Sequence, residues 1–450
     1  MNGTSVDIAR LIDDRPEDGI FRVNRDVFTD PAVFELEMER IFEGTWVFIG
    51  LASQVAKPHD FVTLHIGRQP VLLTRDGEGR LGCFMNTCRH RGTIVCPFKN
   101  GNTKFHVCRY HGWAYDSGGR SISITDQDTG QYPAAFSNEK HDLVPVPRFA
   151  EYRGLLFASL SADVPSLEEH LGEARALLDL VLDQSEQGFE FVPGSISYTF
   201  DGNWKLQFEN GLDYYHFAST HSSYVDVLKK RPMPEEQSRR MPDQDFETEP
   251  EAQGTFSLPR GHSVMWSIQK TQRALRPLAY DADRLQVLRQ RVGHTRWKWM
   301  MRNRNLTIYP NLQIIDICSL QVRTWRPLAP GKTEMTSHCL APIGESAEAR
   351  ALRIRQYEDF FNPSGFASSD DNVMYEYCQS GYAARDAGWT QGYSRGLGGP
   401  LPDGVNLAQE LGLETATWTY GTRAFGDETC FHTGYREWYR LLTTPRRAAV

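Results

Sequence analysis

The sequence predicts an α+β protein in two parts, and three observations predict it. Apolar, β-branched runs broken by turn signals fill the chain up to about position 160, a helical period of 3.6 replaces them just beyond, and strand-like and helical blocks then follow each other. Residues 60–75 are rich in Val, Leu, Ile and Thr; an Asp76-Gly77 turn and a short run from Leu81 to Met85 come next. Residues 103–115 and 121–125 read the same way, joined by Ser117-Gly118-Gly119, so 45–160 is expected to be a small antiparallel β domain. Ser166 with Glu169 makes a capping box, and Leu167, Leu171, Leu178 and Leu182 share a stripe, which predicts a helix over 166–184. Strands are expected at 191–200, 305–317 and 319–326 and a helix at 345–361, an α+β second domain. Residues 229–254 are charged and apolar-poor, a loop that reads equally as a disordered insert or a lid.

Bulk properties narrow the function classes. At 450 residues the chain is long enough for two or more cores. With 40% hydrophobic and 24% charged residues it has an ordinary globular composition. A net charge of −8 without a dense Lys/Arg run argues against nucleic-acid binding. No apolar run approaches the ~20 residues of a membrane helix, and the stretch from Met1 to Ile20 is too acidic for a signal peptide. The cytoplasm is the expected location.

Eight cysteines occur: Cys83, Cys88, Cys96, Cys108, Cys318, Cys339, Cys378 and Cys430. Four of them lie between positions 83 and 108, a density that favours metal over disulfides. Cys88-Arg89-His90 is followed after seventeen residues by Cys108-Arg109-Tyr110-His111. Each half supplies one thiolate and one imidazole, so two loop tips would clamp a small cluster from both sides. Zinc sites usually keep their cysteines together and their histidines together, and here each half mixes them. The pattern fits a Rieske [2Fe–2S] centre, with Cys88 and Cys108 on one iron and His90 and His111 on the other. Neutral imidazoles there lift the potential to about −150 to +300 mV, against about −400 mV for all-cysteine plant-type clusters. Cys83 and Cys96 read as packing residues and His106 as a strand residue.

A second constellation is Asn210-Gly-Leu-Asp213-Tyr-Tyr-His216-Phe-Ala-Ser-Thr-His221. On a straight helix the two histidines would sit about 140° apart, so sharing a metal requires the chain to break between them. Asp213 and His216 would share a face. Two histidines and one carboxylate form the facial triad of non-haem Fe(II) oxygenases, and a cluster in the same chain would feed such an iron with electrons. Ser368-Ser369-Asp370-Asp371 reads as a capped helix start with acidic residues in its first turn. Spacing alone leaves Asp370, Asp371 and a distant glutamate open as the carboxylate.

The chain resembles the large (α) subunits of the Rieske non-haem iron ring-hydroxylating oxygenases, most closely the benzoate, toluate, anthranilate and halobenzoate dioxygenase branch. Besides the cluster motif, the resemblance rests on Ile41-Phe-Glu-Gly-Thr-Trp46, Ile66-Gly-Arg-Gln-Pro70, Gly202-Asn-Trp-Lys-Leu206 and Arg353-Ile-Arg-Gln-Tyr-Glu-Asp-Phe-Phe-Asn362. It implies Cys88, His90, Cys108 and His111 as cluster ligands. It likewise implies His216, His221 and Asp371 as ligands of a mononuclear Fe(II), and Asp213 as the aspartate that couples a cluster histidine to an iron histidine across a subunit boundary. The implied domains are an N-terminal helical segment at 1–44 packing on the catalytic domain, a Rieske β domain at 45–163, and a catalytic domain at 164–450 whose antiparallel sheet is flanked by helices. A flavin and iron–sulfur reductase passing NADH electrons is implied as a partner, with a small β subunit in an α3β3 assembly, or α3 alone.

The implied reaction is dioxygenation of an aromatic ring, a benzoate-type carboxylate above all, to a cis-dihydrodiol. A Rieske monooxygenase or demethylase, or a dioxygenase of a non-carboxylate arene, would use the same ligands. Gly211-Leu-Asp-Tyr-Tyr-His216 replaces the Gly-Ala-Asp-Gly-Tyr-His of benzoate enzymes, and Asp371 is followed by Asn-Val-Met-Tyr-Glu-Tyr. These departures bear on the substrate rather than the chemistry. An aromatic acid needs a cation in its pocket. Arg302 and Arg304 alternate before the strand expected at 305–317, which would turn one inward; the plainer reading is a solvated strand end. Met265, Trp266 and Phe366 read as pocket walls or as core.

Overall fold

A computed structural model describes residues 6–230, 251–268, 276–317, 319–398, 406–421 and 426–445. The chain forms two compact units, Phe42–Leu167 and a larger one made of Met1–Ile41 with Glu168–Val450. The smaller unit is thus an insertion in the chain of the larger.

Three antiparallel sheets build the smaller unit. One has the order Leu81–Met85, Gln69–Arg75, Asp60–Ile66, Asn100–Asn102; a second joins Arg148–Tyr152, Leu155–Ser159 and Val47–Leu51; a third joins Ser121–Ser123, Ala114–Asp116 and Phe105–Val107. The apolar run 60–75 folds into a hairpin about Gly67, whose φ of +54° suits a residue without a Cβ. The strand expected over 103–115 is cut in two, because residues 108–113 leave the sheet as a closed loop. Cys83 and Cys96 are buried among apolar side chains, and His106 is a buried strand residue edge-on to Phe61.

Among the described residues, nine antiparallel strands form the sheet of the larger unit. Its centre is a meander of consecutive strands, Ala252–Ser257, Ser263–Ile268, Asn303–Ile308, Leu312–Asp316, Leu320–Ala329 and Lys332–Pro342. Four of the five connections are short, while the one between Ser263–Ile268 and Asn303–Ile308 carries the helices Ala282–Val292 and His294–Met301. Gln313, Arg323 and Ser337 stand in register on one face, opposite the helix Trp204–Asn210.

Several expected elements are divided. The helix predicted over 166–184 is two, Leu167–Leu171 and Ala174–Leu182, broken at Gly172, where φ is +46°. The strand expected over 305–317 is also two, because Tyr309-Pro310-Asn311 turns the chain. The run 191–200 contributes Phe189–Phe191 and Ile196–Phe200. The helix predicted over 345–361 forms as Ala347–Gln356 with a wider π turn, Tyr357–Phe361. Most of the loop expected at 229–254 lies outside the described residues.

The first 41 residues carry short strands, Ile12–Arg15 and Ile20–Asn24, as well as the helix Pro31–Glu37. Glu37 is buried and accepts hydrogen bonds from the Lys205 ammonium (2.5 Å), the Trp204 indole (2.9 Å) and the Trp438 indole (2.6 Å). A charge removed from water is tolerated there because both of its oxygens have donors and one of these is a cation. No described helix is long and apolar enough to cross a membrane.

Candidate metal centres

In the smaller unit two loops repeat one design. Cys88 N–H donates to Thr93 O (2.8 Å) and Gly92 N–H to Cys88 O (2.9 Å); Cys108 N–H donates to Trp113 O (2.8 Å) and Gly112 N–H to Cys108 O (3.0 Å). Gly92 and Gly112 hold φ of +75° and +77°, the left-handed conformation that closes each tip. A Cβ on Gly112 would come within 2.8 Å of the Thr125 hydroxyl, which donates to the His111 carbonyl. The loops thereby aim His90 Nδ1 and His111 Nδ1 at one point, 3.0 Å apart, with His90 stacked on Trp113.

Cys88 and Cys108 are buried behind the histidines, and none of the described cysteines is in a disulfide. Burial, with the neighbouring Cys88 thiol adding to it, pushes the Cys108 thiol up. Two thiols facing each other beside two converging imidazole nitrogens suit a group that takes two thiolates and two neutral histidines. Tyr115, not flagged by the motif, places its hydroxyl 3.4 Å from Cys88 Sγ and accepts from Arg89 N–H.

In the larger unit His216, His221 and Asp371 place one ligand atom each within 4.8 Å of the others. His216 ends the turn after the helix Trp204–Asn210, and His221 ends the single helical turn Phe217–Thr220 with φ −100°, ψ 30°. The helix therefore breaks where two histidines five apart must converge. His221 Nε2 lies 3.1 Å and His216 Nε2 3.4 Å from Asp371 Oδ1. Both rings turn Nδ1 the other way, His216 to Asp213 (3.1 Å) and His221 to Asp370 (3.4 Å). Asn210 Nδ2 donates to Asp371 Oδ1 at 3.0 Å.

The reading of Asp370 and Asp371 as cap residues is corrected. Their helix, Phe366–Tyr382, begins earlier, with Gly365 at its N-cap and no acidic residue in its first turn. Both aspartates sit in the second turn, too far in to meet the free N–H groups.

Burial opposes charge at this triad, but the Asp213 and Asp371 carboxylates hold the His216 imidazolium up to about 10. Burial penalises Asp371 as well, yet His216 and His221 keep its carboxyl well below the usual range. The cluster is built to retain positive charge, and a divalent metal on two Nε2 atoms and a carboxylate oxygen satisfies it as a proton does. Two imidazoles and one carboxylate are the donor set of non-haem iron.

The reading of Arg302 and Arg304 as a solvated strand end is also corrected. Both are buried; Arg304 and Arg276 pair with Asp316, and Arg302 packs over Trp299 at 4.1 Å and meets Glu410 at 3.3 Å. Trp266 packs against Phe256 and Trp299 as core, and Met265 is buried on the same strand. Phe366 is partly exposed beside Tyr224.

Residues 45–145 match the Rieske [2Fe-2S] domain family, and residues 192–410 match the ring hydroxylating alpha subunit (catalytic domain) family. Fold and matches together place the chain in the class of Rieske non-haem iron oxygenases. Toluate 1,2-dioxygenase subunit alpha of Pseudomonas putida is 41% identical over 380 residues, 84% of this chain and 82% of that protein. The 2-halobenzoate 1,2-dioxygenase large subunit of Burkholderia cepacia is 41% identical over 90% of this chain and 86% of its own length. The anthranilate 1,2-dioxygenase large subunit of Acinetobacter baylyi is 39% identical over 96% and 91%. Among solved structures, naphthalene 1,2-dioxygenase from Rhodococcus sp. bound to indole superposes with a TM-score of 0.77 at 25% identity, covering 94% of this chain and 95% of that one. The chain belongs to the α subunits of the ring-hydroxylating dioxygenases, whose cofactors are a [2Fe–2S] Rieske cluster and a mononuclear iron.

Proposed function

We propose that this chain is the terminal oxygenase component that dihydroxylates the ring of a benzoate-type aromatic carboxylate. The convergence of His216, His221 and Asp371 carries the reading, and the aromatic acids in the names of three similar proteins support the substrate class. In balance, the arene takes up both atoms of O2, two electrons and two protons, and NADH is the electron source through a separate flavin and iron–sulfur reductase. The product is a cis-dihydrodiol that keeps its carboxyl group. A small β subunit in an α3β3 assembly and a cytoplasmic location complete the proposal.

Cys88, Cys108, His90 and His111 would hold the cluster, and His216, His221 and Asp371 the mononuclear iron. When bound, these groups supply one-electron transfer and O2 activation. The polypeptide's own task is orientation. With a metal bound, Asp213 and Asp370, 3.1 and 3.4 Å from the Nδ1 atoms, would keep the remaining proton on Nδ1 and leave both Nε2 atoms to the metal. Asn210 holds the Asp371 carboxylate in place, and Asp213 would add the coupling of this centre to a cluster histidine of a neighbouring subunit. By segment, 1–44 would pack on the catalytic domain, 45–163 would carry the cluster, and 164–450 would carry the iron.

The test is a single-turnover reaction of reduced protein under 18O2 with benzoates, aminobenzoates, hydroxybenzoates and neutral arenes. Two labelled oxygens in a product that retains its carboxyl group are expected. One labelled oxygen would make the enzyme a monooxygenase or demethylase, and product from neutral arenes alone would remove the carboxylate.

A further inference from the structure

We infer that Arg323 is the cation that receives the carboxylate of the aromatic substrate, a role that rests on the aromatic-acid reading above. Six Lys and Arg side chains are buried among the described residues: Lys205, Arg276, Arg302, Arg304, Arg323 and Arg353. Five of them meet a carboxylate: Lys205 pairs with Glu37, Arg276 and Arg304 with Asp316, Arg302 with Glu410, and Arg353 with Glu345. Arg323, 4% exposed, is the exception; no described carboxylate lies within ion-pair distance of it. Its hydrogen-bond partner is neutral, the Asn210 carboxamide oxygen at 3.3 Å. A guanidinium taken out of water with only an amide for company is costly, and the cost is recovered when an anion arrives.

Position names the anion. Asn210 bonds Arg323 through its oxygen and Asp371 through its nitrogen, at 3.0 Å, so the guanidinium sits one carboxamide away from the triad. Arg323 projects from the strand Leu320–Ala329 on the face that carries Gln313 and Ser337, the face that Trp204–Asn210 covers. Two residues on, along the same face, the buried indole N–H of Trp325 has no hydrogen-bond partner among the described residues. In a 1,2-dihydroxylation the ring carboxylate is borne by one of the two attacked carbons, so it must lie close to the metal-binding group. A planar guanidinium takes a carboxylate in two parallel hydrogen bonds, which also fixes the plane of the acid relative to the ring.

Arg323→Met and Arg323→Lys holoenzymes test this, with iron and acid-labile sulfide assayed in each. Calorimetry would measure the affinity for the best-bound of benzoate, methylbenzoates and aminobenzoates, and for toluene as the uncharged counterpart. The expected result is a benzoate dissociation constant raised on the order of 10–100-fold in Arg323→Met. Iron content and toluene affinity should be unchanged, and Arg323→Lys should recover part of the loss. Equal benzoate affinity in wild type and Arg323→Met overturns the assignment. Loss of iron in step with benzoate affinity overturns it too, since Arg323 would then be a support for Asn210 and the triad. Wild-type protein that binds toluene and none of the acids removes the aromatic-acid reading itself, a result visible before any variant is made.

Discussion

Asp370 and Asp371 grip opposite edges of one imidazole: Asp370 Oδ2 lies 3.4 Å from His221 Nδ1, and Asp371 Oδ1 lies 3.1 Å from His221 Nε2. Adjacent helical residues point about 100° apart, which lets one chain segment reach both sides of the ring. Asp370 thereby holds the tautomer that leaves Nε2 free. Asp370→Ala should weaken Fe(II) binding about 10–100-fold while leaving the cluster's visible spectrum intact. Anaerobic competition against a chelator measures it, and an unchanged iron affinity would show that Asp370 is a surface carboxylate only.

Tyr115 gives the cluster loops a comparable tuning contact. Its hydroxyl, 3.4 Å from Cys88 Sγ, would withdraw charge from a thiolate and favour the reduced state. Tyr115→Phe should lower the midpoint potential by about 50 mV, the equivalent of roughly 1 kcal/mol for one electron. Redox titration followed by circular dichroism reads this directly. A potential that stays put would reduce Tyr115 to a packing residue.

Glu37 and Lys205 are each almost wholly buried, so the pair stands or falls as a unit. Glu37→Gln keeps an acceptor for one indole, turns an amide N–H toward the other and strands the Lys205 ammonium. It should cost about 3–5 kcal/mol, whereas Glu37→Leu combined with Lys205→Met should recover much of that. Denaturant unfolding of the three proteins compares them; a double variant no better than the single one would contradict the account.

His262 sets an acid limit on stability. Its Nε2 is hydrogen-bonded to the His170 carbonyl at 2.8 Å, and Nδ1 accepts from Tyr309 N–H at 3.0 Å. Only the neutral ring makes both bonds, and burial pushes the pKa down to about 4. The unfolded chain binds the proton first, so this contribution is complete above about pH 6.5 and is lost as pH falls toward 4. By linkage the loss is about 3 kcal/mol. His262→Gln should flatten the stability profile between those values, and a profile with the wild-type slope would rule His262 out as its cause.

What was legible in the chain divides along sequence distance. The cluster loops could be read because all four candidate ligands fall between positions 88 and 111, and each loop is closed by its own backbone. The pairing of His216 with Asp213 was equally local. The choice between Asp370 and Asp371 was not, because it depends on where their helix starts, and Gly365 and Phe366 move that start upstream of the Ser-Ser-Asp-Asp signal. Arg302 and Arg304 looked like a strand end for want of Asp316, whose strand follows a turn that the apolar run concealed. Nothing local to Arg323 marks it, because its hydrogen-bond partner is Asn210, on a helix 113 positions away in sequence.

The inserted unit also has a temporal consequence. Glu37 emerges from the ribosome well ahead of Lys205, 168 positions later, and of Trp438, 401 positions later. At about 5–20 residues per second, the leading segment waits on the order of 20–80 seconds for its last partner. Residues 42–167 form a compact unit from one continuous stretch of chain. The whole iron–sulfur half of the enzyme is therefore synthesised before the leading segment can meet Lys205 and Trp438.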